Sequence, residues 1–270
     1  MATTRALILA RGLGTRMRRA DEDAALDPEQ AKVADAGMKG MIPIGRPFLD
    51  YVISALAEAG INKVCLVIGP EHGAVRDHYA SLRYSRVRVT FAIQERPLGT
   101  ADAVASGERF AAGESVLVLN ADNYYPVESY RALAALGASG LAGFERESLV
   151  ANSNIPEERI RRYALVRTDA DGWLTEIVEK PDDETYARLS EGSLVSMNLW
   201  SFSPVIFQAC RRVRPSVRGE LELQDAVRIA MHELGERFRV IRQSGGVLDL
   251  SSRRDIPAVK AALEGTEVRL

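Results

Sequence analysis

The chain has 270 residues, 46% of them hydrophobic and 27% charged, which is the balance of a globular protein large enough to bury its own core. Its formal net charge of −2 argues against a nucleic-acid-binding protein, and no apolar stretch is long enough to cross a membrane or to act as a secretory signal. Cys65 and Cys210 lie far apart and indicate no disulfide framework, so we expect a cytoplasmic protein.

Short apolar runs alternate with amphipathic segments through the first half of the chain. The apolar runs predict strands at residues 6–10, 64–68, 87–93 and 115–119, and the periodic segments predict helices at residues 51–59, 71–79 and 101–110. Strands that alternate with helices need crossover connections, which predicts a mostly parallel sheet. The continuous apolar character of residues 64–68 is typical of a central strand buried on both faces.

The pattern changes beyond about residue 140. Apolar runs at residues 163–167 and 174–178 flank Thr168-Asp-Ala-Asp-Gly172, which predicts a hairpin. A long apolar segment follows at residues 193–202, and helices are predicted at about 204–212 and at 223–234, with a strand at 238–242. We expect the second half to pack against the first as a substrate lobe.

Residues 18–37 form a charged, alanine-rich segment between two of the motifs below. A short surface helix and a mobile flap are both open for it, and a solvated insertion is the plainest interpretation.

A glycine-rich turn follows the first predicted strand, in the sequence Gly12-Leu-Gly-Thr-Arg16. Glycines let the backbone approach a phosphate closely, and Arg16 can supply a forked cation to the same oxygens. The turn is not a P-loop, because no Gly-Lys-Ser or Gly-Lys-Thr follows, and it lacks the third glycine of the dinucleotide fingerprint. By itself it could equally be a turn that ends a strand.

Polar residues at the ends of later elements add to this signal. Asp122 follows a buried strand, where open α/β sheets bind ligands, and its carboxylate suits Mg²⁺, although it could instead cap a turn. Gln94 carries an amide suited to a base edge, and Gly99 would let a base or ribose lie against the backbone. Lys39, before an apolar run, could be a solvated charge or a phosphate ligand.

Taken together, these elements resemble the sugar nucleotidylyltransferases (nucleotide-sugar pyrophosphorylases), among them enzymes of the glucose-1-phosphate thymidylyl- and uridylyltransferase type. The resemblance runs in order over nearly the whole chain. It rests on Leu9-Ala-Arg-Gly-Leu-Gly-Thr-Arg16, Lys39-Gly-Met-Ile-Pro-Ile44, Gly99-Thr-Ala101, Asn120-Ala-Asp122, Glu179-Lys-Pro181, Met197-Asn198, Gly219-Glu-Leu-Glu-Leu-Gln-Asp225 and Gly246-Val-Leu-Asp249.

The resemblance implies an α/β fold: a Rossmann-like three-layer sandwich with a mostly parallel central sheet and an inserted β-rich sugar-binding lobe. Residues 1–270 would form one domain, with a nucleotide-binding half up to about residue 135 and a sugar-phosphate-binding half from about residue 136. The implied substrates are a nucleoside triphosphate, with a leaning towards the pyrimidines dTTP and UTP, and a sugar 1-phosphate; the cofactor is Mg²⁺, and a homo-oligomer is possible.

The resemblance also assigns site residues. The catalytic residues would be Arg16, Lys39 and Asp122, and the metal ligands Asp122 and Asp249. The nucleotide would be bound by Leu9, Ala10, Gly12, Gly14, Thr15, Gln94, Gly99 and Thr100. The sugar phosphate would be bound by Tyr163, Ala164, Glu179, Lys180 and Asn198.

The sequence departs from the family pattern at several places. Arg11 stands where the loop usually has glycine, which adds a cation near the expected phosphates, and Met38 replaces the proline before Lys39. Ala164 replaces a glycine beside the sugar, and Leu250-Ser-Ser252 replaces the usual Thr-Gly-Thr after Asp249. These changes keep open a homologue that binds a nucleotide or a sugar phosphate without turnover.

The expected reaction is an in-line displacement at the α-phosphorus. The attacking phosphate oxygen is already ionised at neutral pH, so no general base is needed, and none of the three histidines lies in a motif. Guanylyl, adenylyl or cytidylyl transfer to a heptose or cyclitol phosphate stays open as an alternative, whereas a Rossmann oxidoreductase is disfavoured by the glycine spacing.

Overall fold

The computed structural model describes residues 2–21, 24 and 26–270. The strands of this part of the chain are β1 Arg5–Leu9, β2 Lys63–Ile68, β3 Arg88–Ile93, β4 Val116–Asn120, β5 Asn123–Tyr124, β6 Gly140–Phe144, β7 Ala164–Thr168, β8 Leu174–Val178, β9 Leu194–Phe202, β10 Arg239–Gln243 and β11 Leu248–Asp249. The helices are α1 Thr15–Arg18, α2 Pro28–Ala36, α3 Phe48–Glu58, α4 Gly73–Ser81, α5 Thr100–Ser106, α6 Glu108–Ala111, α7 Val127–Leu136, α8 Arg146–Asn152, α9 Glu157–Ile160, α10 Asp183–Leu189, α11 Val205–Cys210, α12 Leu223–Glu233 and α13 Asp255–Ala262, with a 3₁₀ turn at Lys39–Met41.

The main sheet of the described residues has the order β10-β6-β9-β4-β1-β2-β3. The pairs β1–β2, β2–β3, β1–β4 and β10–β6 are parallel, whereas β9 is antiparallel to β4 and to β6. The prediction of a mostly parallel α/β sheet is therefore confirmed, and each strand predicted from the sequence lies within one residue of its observed bounds.

Two hydrophobic clusters cover the two faces of this sheet. Along β1, Ala6 and Ile8 belong to one cluster and Leu7 to the other, because successive strand residues point to opposite faces. Trp200 of β9 is fully buried in the second cluster and stacks on Phe202 at 5.3 Å between ring centroids. The three-layer arrangement expected from the sequence follows from this double burial.

The predicted hairpin is formed by β7 and β8, and it continues the main sheet rather than standing apart from it. Ala164 to Val166 of β7 pair with Ser196 to Leu194 of β9, so one long strand belongs to both regions. The division of the chain into a nucleotide half and a sugar-phosphate half stays a prediction.

Several elements carry no clear pattern in the sequence. β6 is Gly-Leu-Ala-Gly-Phe, a poor strand sequence by propensity, but a Cβ at Gly143 would lie 2.7 Å from Val240 and 2.8 Å from Leu194. Close packing therefore selects glycine there. The single helix expected at residues 101–110 is wrong in extent, because α5 and α6 meet at Gly107, where a Cβ would lie 2.6 Å from Leu7.

The alanine-rich segment contains a helix, as one of its open interpretations held. Asp27 caps α2 by accepting from the Gln30 backbone, and the Gln30 side chain accepts in return from the Asp27 backbone. Gln30 also donates to the Pro43 carbonyl at 2.8 Å, and Ala34 is fully buried, so the helix is packed on the core. Residues 22, 23 and 25 of the segment lie outside the described residues.

No helix among the described residues has the length and apolar character needed to span a bilayer.

The capping box of α2 makes the stability of the segment testable. Asp27→Ala removes an acceptor for the first turn, so we expect the free energy of unfolding to fall by about 1 kcal/mol, measured by urea denaturation. Lys32→Ala, an exposed change in the same helix, serves as the control. Equal midpoints for the two variants would show that the cap contributes nothing.

Candidate active site

Two clefts meet at the carboxyl end of β4. The first cleft, of about 300 Å³, is lined by residues from the ends of β1, β3 and β4, among them Leu9, Gln94 and Asn120. The second cleft, of about 860 Å³, lies towards the hairpin and includes Tyr163, Glu179 and Asp249. Asn120 and Asp122 line both clefts, so Asp122 stands where groups bound in the two clefts would come together.

The glycine-rich turn after β1 has two glycines with different reasons to be glycine. Gly14 has φ +61°, and a Cβ there would lie 2.3 Å from the Gly37 carbonyl oxygen, so it is required by the fold. Gly12 lines the first cleft, and a Cβ there would meet nothing within 4 Å. Gly12 therefore leaves open space for a ligand rather than for the protein.

Arg11, the departure from the family loop, is not a free cation. Its guanidinium donates to the backbone carbonyl of Gln94 and to both carboxylate oxygens of Glu71, the latter at 3.2 Å each, and its side chain is only 8% exposed. Its charge is therefore paired within the protein, and these contacts stabilise the wall of the first cleft. The expectation that it adds a cation for phosphates does not fit this pairing.

Arg16 lies on α1 and lines the second cleft. It is exposed, and within the part of the chain that the structure describes its side chain has no hydrogen bond or ion pair. A guanidinium in this state is available to anionic oxygens at no cost in lost protein contacts.

Gly99 packs against a segment that the sequence did not connect with it. It has φ +128°, and a Cβ there would lie 2.4 Å from the Leu221 carbonyl oxygen. The Ala101 N–H donates to that oxygen at 2.9 Å, and the Leu223 N–H donates to the Thr100 hydroxyl at 2.9 Å. We call residues 219–224 the strap. Gly99 and Thr100 thus hold the strap as well as lining the first cleft.

Lys39 contacts Asp122 directly. The 3₁₀ turn after α2 carries Lys39, whose Nζ donates to Asp122 Oδ2 at 2.7 Å, with both side chains about one-fifth exposed. This ion pair connects the 3₁₀ turn to the residues that follow β4.

Asp249 is brought beside Asp122 by a two-stranded sheet. β5 and β11 pair Asn123 with Asp249, and the Leu250 N–H donates to the Asp122 carbonyl at 2.8 Å. Burial, together with the nearby Asp122 carboxylate, raises the pKa of Asp249. The sequence placed both acids at the site, and the register of this short pairing is what brings them together.

Both oxygens of Asp249, which is 2% exposed, already have partners. Oδ1 accepts from Asn123 at 3.2 Å and from Ser251 at 2.9 Å. Oδ2 accepts from the Tyr163 hydroxyl at 3.1 Å and pairs with Arg159 at 3.2 Å. Ser251, part of the departure after Asp249, therefore supports the acid rather than disturbing it.

The two aspartates suit a divalent cation of the Mg²⁺ type. Their carboxylates face the second cleft, and burial together with the Asp122 charge raises the pKa of Asp249, so a cation bound there would stabilise its ionised form. No group of three or more His, Cys, Asp or Glu side chains arranged for a metal occurs among the described residues. Mg²⁺ is commonly held by one or two carboxylates and completed by phosphate oxygens and water, so the pair fits such an ion in the presence of phosphates.

A polar cluster lies between β8, β9 and α12. Gln224 of the strap donates to Glu179 at 3.0 Å and to Asn198 at 3.1 Å. Burial, and then the Glu222 carboxylate, raise the pKa of Glu179 to about 7. Lys180 and Asn198 have φ of +45° and +59°, an unusual backbone state for residues other than glycine, which marks this cluster as a site held in strain.

Most residues assigned from the sequence line one of the clefts, but a few do not. Gly14 is buried under Gly37, Thr15 is exposed at the start of α1, and Ala164 is 2% exposed in β7; none of them lines the clefts described above.

Sequence reasoning missed four residues of the site. Arg218 lines a side pocket beside Lys180 and Asn198 and pairs with Glu222 at 2.9 Å; its place directly before the Gly219 motif was the available signal. Gln224 lies inside that motif. Arg159 has no local signal, since only the fold brings it to Asp249, whereas Asp102 directly follows the Gly99-Thr-Ala101 motif and contacts Gln94.

Comparison with known proteins identifies the family of this chain. Residues 30–258 match the nucleotidyl transferase family, and the chain belongs to that family. The prediction of a nucleotidylyltransferase from the ordered motifs is confirmed.

Individual relatives agree with this assignment. The chain is 29% identical over 255 residues to the UTP–glucose-1-phosphate uridylyltransferase AglF of Haloferax volcanii, which covers 93% of this chain and 92% of that protein. It is 28% identical over 224 residues to a glucose-1-phosphate thymidylyltransferase of Streptomyces antibioticus, covering 83% of this chain and 56% of that one. The chain spans about half the length of several other relatives it matches.

The fold is shared with solved structures. A UDP-glucose pyrophosphorylase complexed with UDP-glucose superposes with a TM-score of 0.75 at 20% identity, covering 98% of this chain and 99% of that chain.

The two loop glycines give a matched pair of variants. Gly14→Ala should lower the free energy of unfolding by about 1–3 kcal/mol, because it forces a strained φ and a backbone clash. Gly12→Ala should leave unfolding nearly unchanged but weaken nucleoside triphosphate binding at least tenfold, because its methyl group enters the cleft. Chemical denaturation measures the first effect and calorimetric titration the second. An unchanged nucleotide affinity in Gly12→Ala would show that the nucleotide does not bind against this loop.

The raised pKa of Glu179 predicts a pH dependence of stability. Between the unfolded pKa near 4.3 and the folded pKa of about 7, the folded state holds the extra proton, so stability falls as the pH rises through this window. Glu179→Gln lacks this loss, and from pH 5 to pH 8 its free energy of unfolding should gain up to about 3 kcal/mol relative to the unmodified protein.

Glu176→Gln, an exposed change on the same strand, controls for net charge. Unfolding curves at pH 5 and pH 8 measure the difference, and parallel pH profiles for the Glu179 variant and the unmodified protein would contradict a buried, proton-binding Glu179.

Proposed function

We propose that the protein transfers a nucleotidyl group from a nucleoside triphosphate to a sugar 1-phosphate, giving an NDP-sugar and pyrophosphate, with Mg²⁺ as cofactor. The observation that carries the proposal is the position of Asp122, paired with Lys39 at 2.7 Å where the first and second clefts meet. Two relatives support the same class of substrates. One is named a UTP–glucose-1-phosphate uridylyltransferase and the other a glucose-1-phosphate thymidylyltransferase.

The first cleft suits the nucleotide. Its floor has the open space at Gly12, and its wall carries the buried amide of Gln94. Gln94 together with the uridylyl- and thymidylyltransferase relatives favours UTP or dTTP as the donor.

The second cleft suits the sugar phosphate. Glu179 and Asn198 offer oxygens to sugar hydroxyls, and Lys180 lines the same cleft. Arg218 and Lys180 line the same side pocket and can hold a phosphate. Arg16, whose side chain has no partner among the described residues, adds a third cation that lines the larger cleft.

In the proposed reaction an oxygen of the sugar 1-phosphate attacks the α-phosphorus, a new O–P bond forms, and the bond to the bridging oxygen of pyrophosphate breaks. Lys180 and Arg218 hold the attacking phosphate, and Arg16 stabilises the charge on the departing pyrophosphate. Lys39 holds the Asp122 carboxylate in place through their ion pair. Mg²⁺ held by Asp122 and Asp249 would supply charge neutralisation between the two anions.

A binding homologue without turnover is the second candidate. It is favoured by one observation: Lys39 and Arg159 already neutralise the two aspartates, and every oxygen of Asp249 has a protein partner. Such a protein would hold a nucleotide or a sugar phosphate with these residues in place.

Pyrophosphate release distinguishes the two candidates. ATP, GTP, CTP, UTP and dTTP are each combined with hexose, heptose and cyclitol 1-phosphates, with and without Mg²⁺. We expect release that needs both substrates and the metal, greatest with UTP or dTTP. Tight nucleotide binding by calorimetry without release in any combination would replace the transferase with the binding homologue.

The role of Asp122 has its own test. Asp122→Asn keeps an acceptor for Lys39 but removes the charge, so the fold should persist while the turnover number falls by about 10²–10³ or more. Asp77→Asn, an exposed change on α4, is the matched control. Activity of the Asp122 variant within about threefold of the control would refute its catalytic role.

A further inference from the structure

The orientation of the Gln94 side-chain amide is fixed by its hydrogen-bond partners. Gln94 is 3% exposed and follows β3, where it lines the first cleft. Its Nε2 donates to the Gly99 carbonyl at 3.0 Å and to Asp102 Oδ2 at 2.8 Å. A peptide carbonyl and a carboxylate can only accept, so the group that faces both of them must be the NH₂ of the amide.

The backbone of Gln94 is fixed as well. Its N–H donates to the Ile68 carbonyl at 2.9 Å, and its carbonyl accepts from the Arg11 guanidinium. Both amide hydrogens are in use, and Oε1 has no donor partner among the described residues. Oε1 is therefore the group of this side chain that can meet a ligand in the first cleft, and it can only accept a hydrogen bond.

Asp102 belongs to the first turn of α5 and does not line the first cleft. Its own backbone carbonyl accepts from the Ser106 hydroxyl at 2.9 Å, which anchors it within the helix. Among the described residues, its side chain reaches the cleft through its hydrogen bond with Gln94, whose amide nitrogen it holds together with the Gly99 carbonyl.

We propose that Asp102 is a positioning residue that sets the base preference of the enzyme: by holding Gln94 Nε2, it turns Oε1 towards a base with a ring N–H, the class of uracil, thymine and guanine. This inference rests on the proposed function. The ring N–H of such a base donates to Oε1. Cytosine and adenine carry a bare ring nitrogen at the corresponding position, and two lone pairs would then face each other in a buried cleft.

Three variants separate this role from a merely structural one. Asp102→Ala removes the stronger, charged acceptor of Nε2 and leaves the Gly99 carbonyl, so the amide is held less firmly and Gln94 can present a donor as well as an acceptor. Asp102→Asn retains a carbonyl oxygen that can accept from Nε2, so it is the conservative control. Gln94→Ala removes the reading group altogether.

The measured quantity is the ratio of kcat/KM for UTP to that for CTP, with the sugar 1-phosphate that supports turnover. We expect Asp102→Ala to lower this ratio at least tenfold, mainly through a higher KM for UTP, and to leave the KM for the sugar 1-phosphate unchanged. Asp102→Asn should restore most of the ratio, and Gln94→Ala should lower it as far as Asp102→Ala does. Equal losses with UTP and CTP, or no rescue by asparagine, would reduce Asp102 to a structural residue of α5.

Calorimetric titration with UTP, dTTP, GTP, CTP and ATP separates failure of this inference from failure of the proposed function. Preferential binding of the first three, weakened for them in Asp102→Ala, supports the inference even in a protein without turnover. A preference of the unmodified protein for CTP or ATP overturns the inference while leaving nucleotidyl transfer intact. Binding of none of the five overturns both.

Discussion

Repulsion between two carboxylates is the constraint around which the site is built. Asp122 and Asp249 face one cleft, and burial, followed by the charge of the nearby Asp122, raises the pKa of Asp249. The protein offsets this charge with one cation on each acid, Lys39 at 2.7 Å and Arg159 at 3.2 Å. Removing one member of such a group leaves an uncompensated charge, so the 3₁₀ turn that carries Lys39 and the helix α9 that carries Arg159 are held at the same place. Substrate phosphates would add still more negative charge there, which is why a divalent cation is the natural complement to the pair.

The strap contacts residues of both clefts and so connects them. Its backbone is paired with the Gly99 loop on the first cleft, and its last residue, Gln224, donates to Glu179 and Asn198 beside the second. The strap and the loop lie too close together for a Cβ at Gly99. Separating them would also break the backbone hydrogen bonds that join them. A ligand that orders one cleft therefore bears on a segment that also shapes the other.

How much could be read from the sequence depended on whether the signal was local. The strands of the parallel core are continuous apolar runs, and they lie within one residue of their predicted bounds. β6 has no strand pattern because its two glycines are set by close packing, Gly140 against Arg239 and Leu136 and Gly143 against Val240 and Leu194, and propensity does not encode such contacts. Asp122 follows a strand and was accessible to pattern, whereas Arg159 and Asp102 act through contacts with residues far away in the chain or on another element. Gly99 was assigned to a base, but the fold gives it a second reason to be glycine, the backbone of Leu221.

The departure at Arg11 shows how a long side chain can replace a glycine in the loop after β1 without filling the first cleft. A long cation in place of glycine would obstruct the first cleft if its side chain turned inward over Gly12. Instead Glu71 and the Gln94 carbonyl draw the guanidinium to the wall, and the space above Gly12 stays open. The same contact fixes the backbone of Gln94, whose side chain is fixed by Asp102. Arg11 thus exchanges the backbone freedom of a glycine for a more rigid wall of the first cleft, and that wall is ordered on folding rather than on ligand binding.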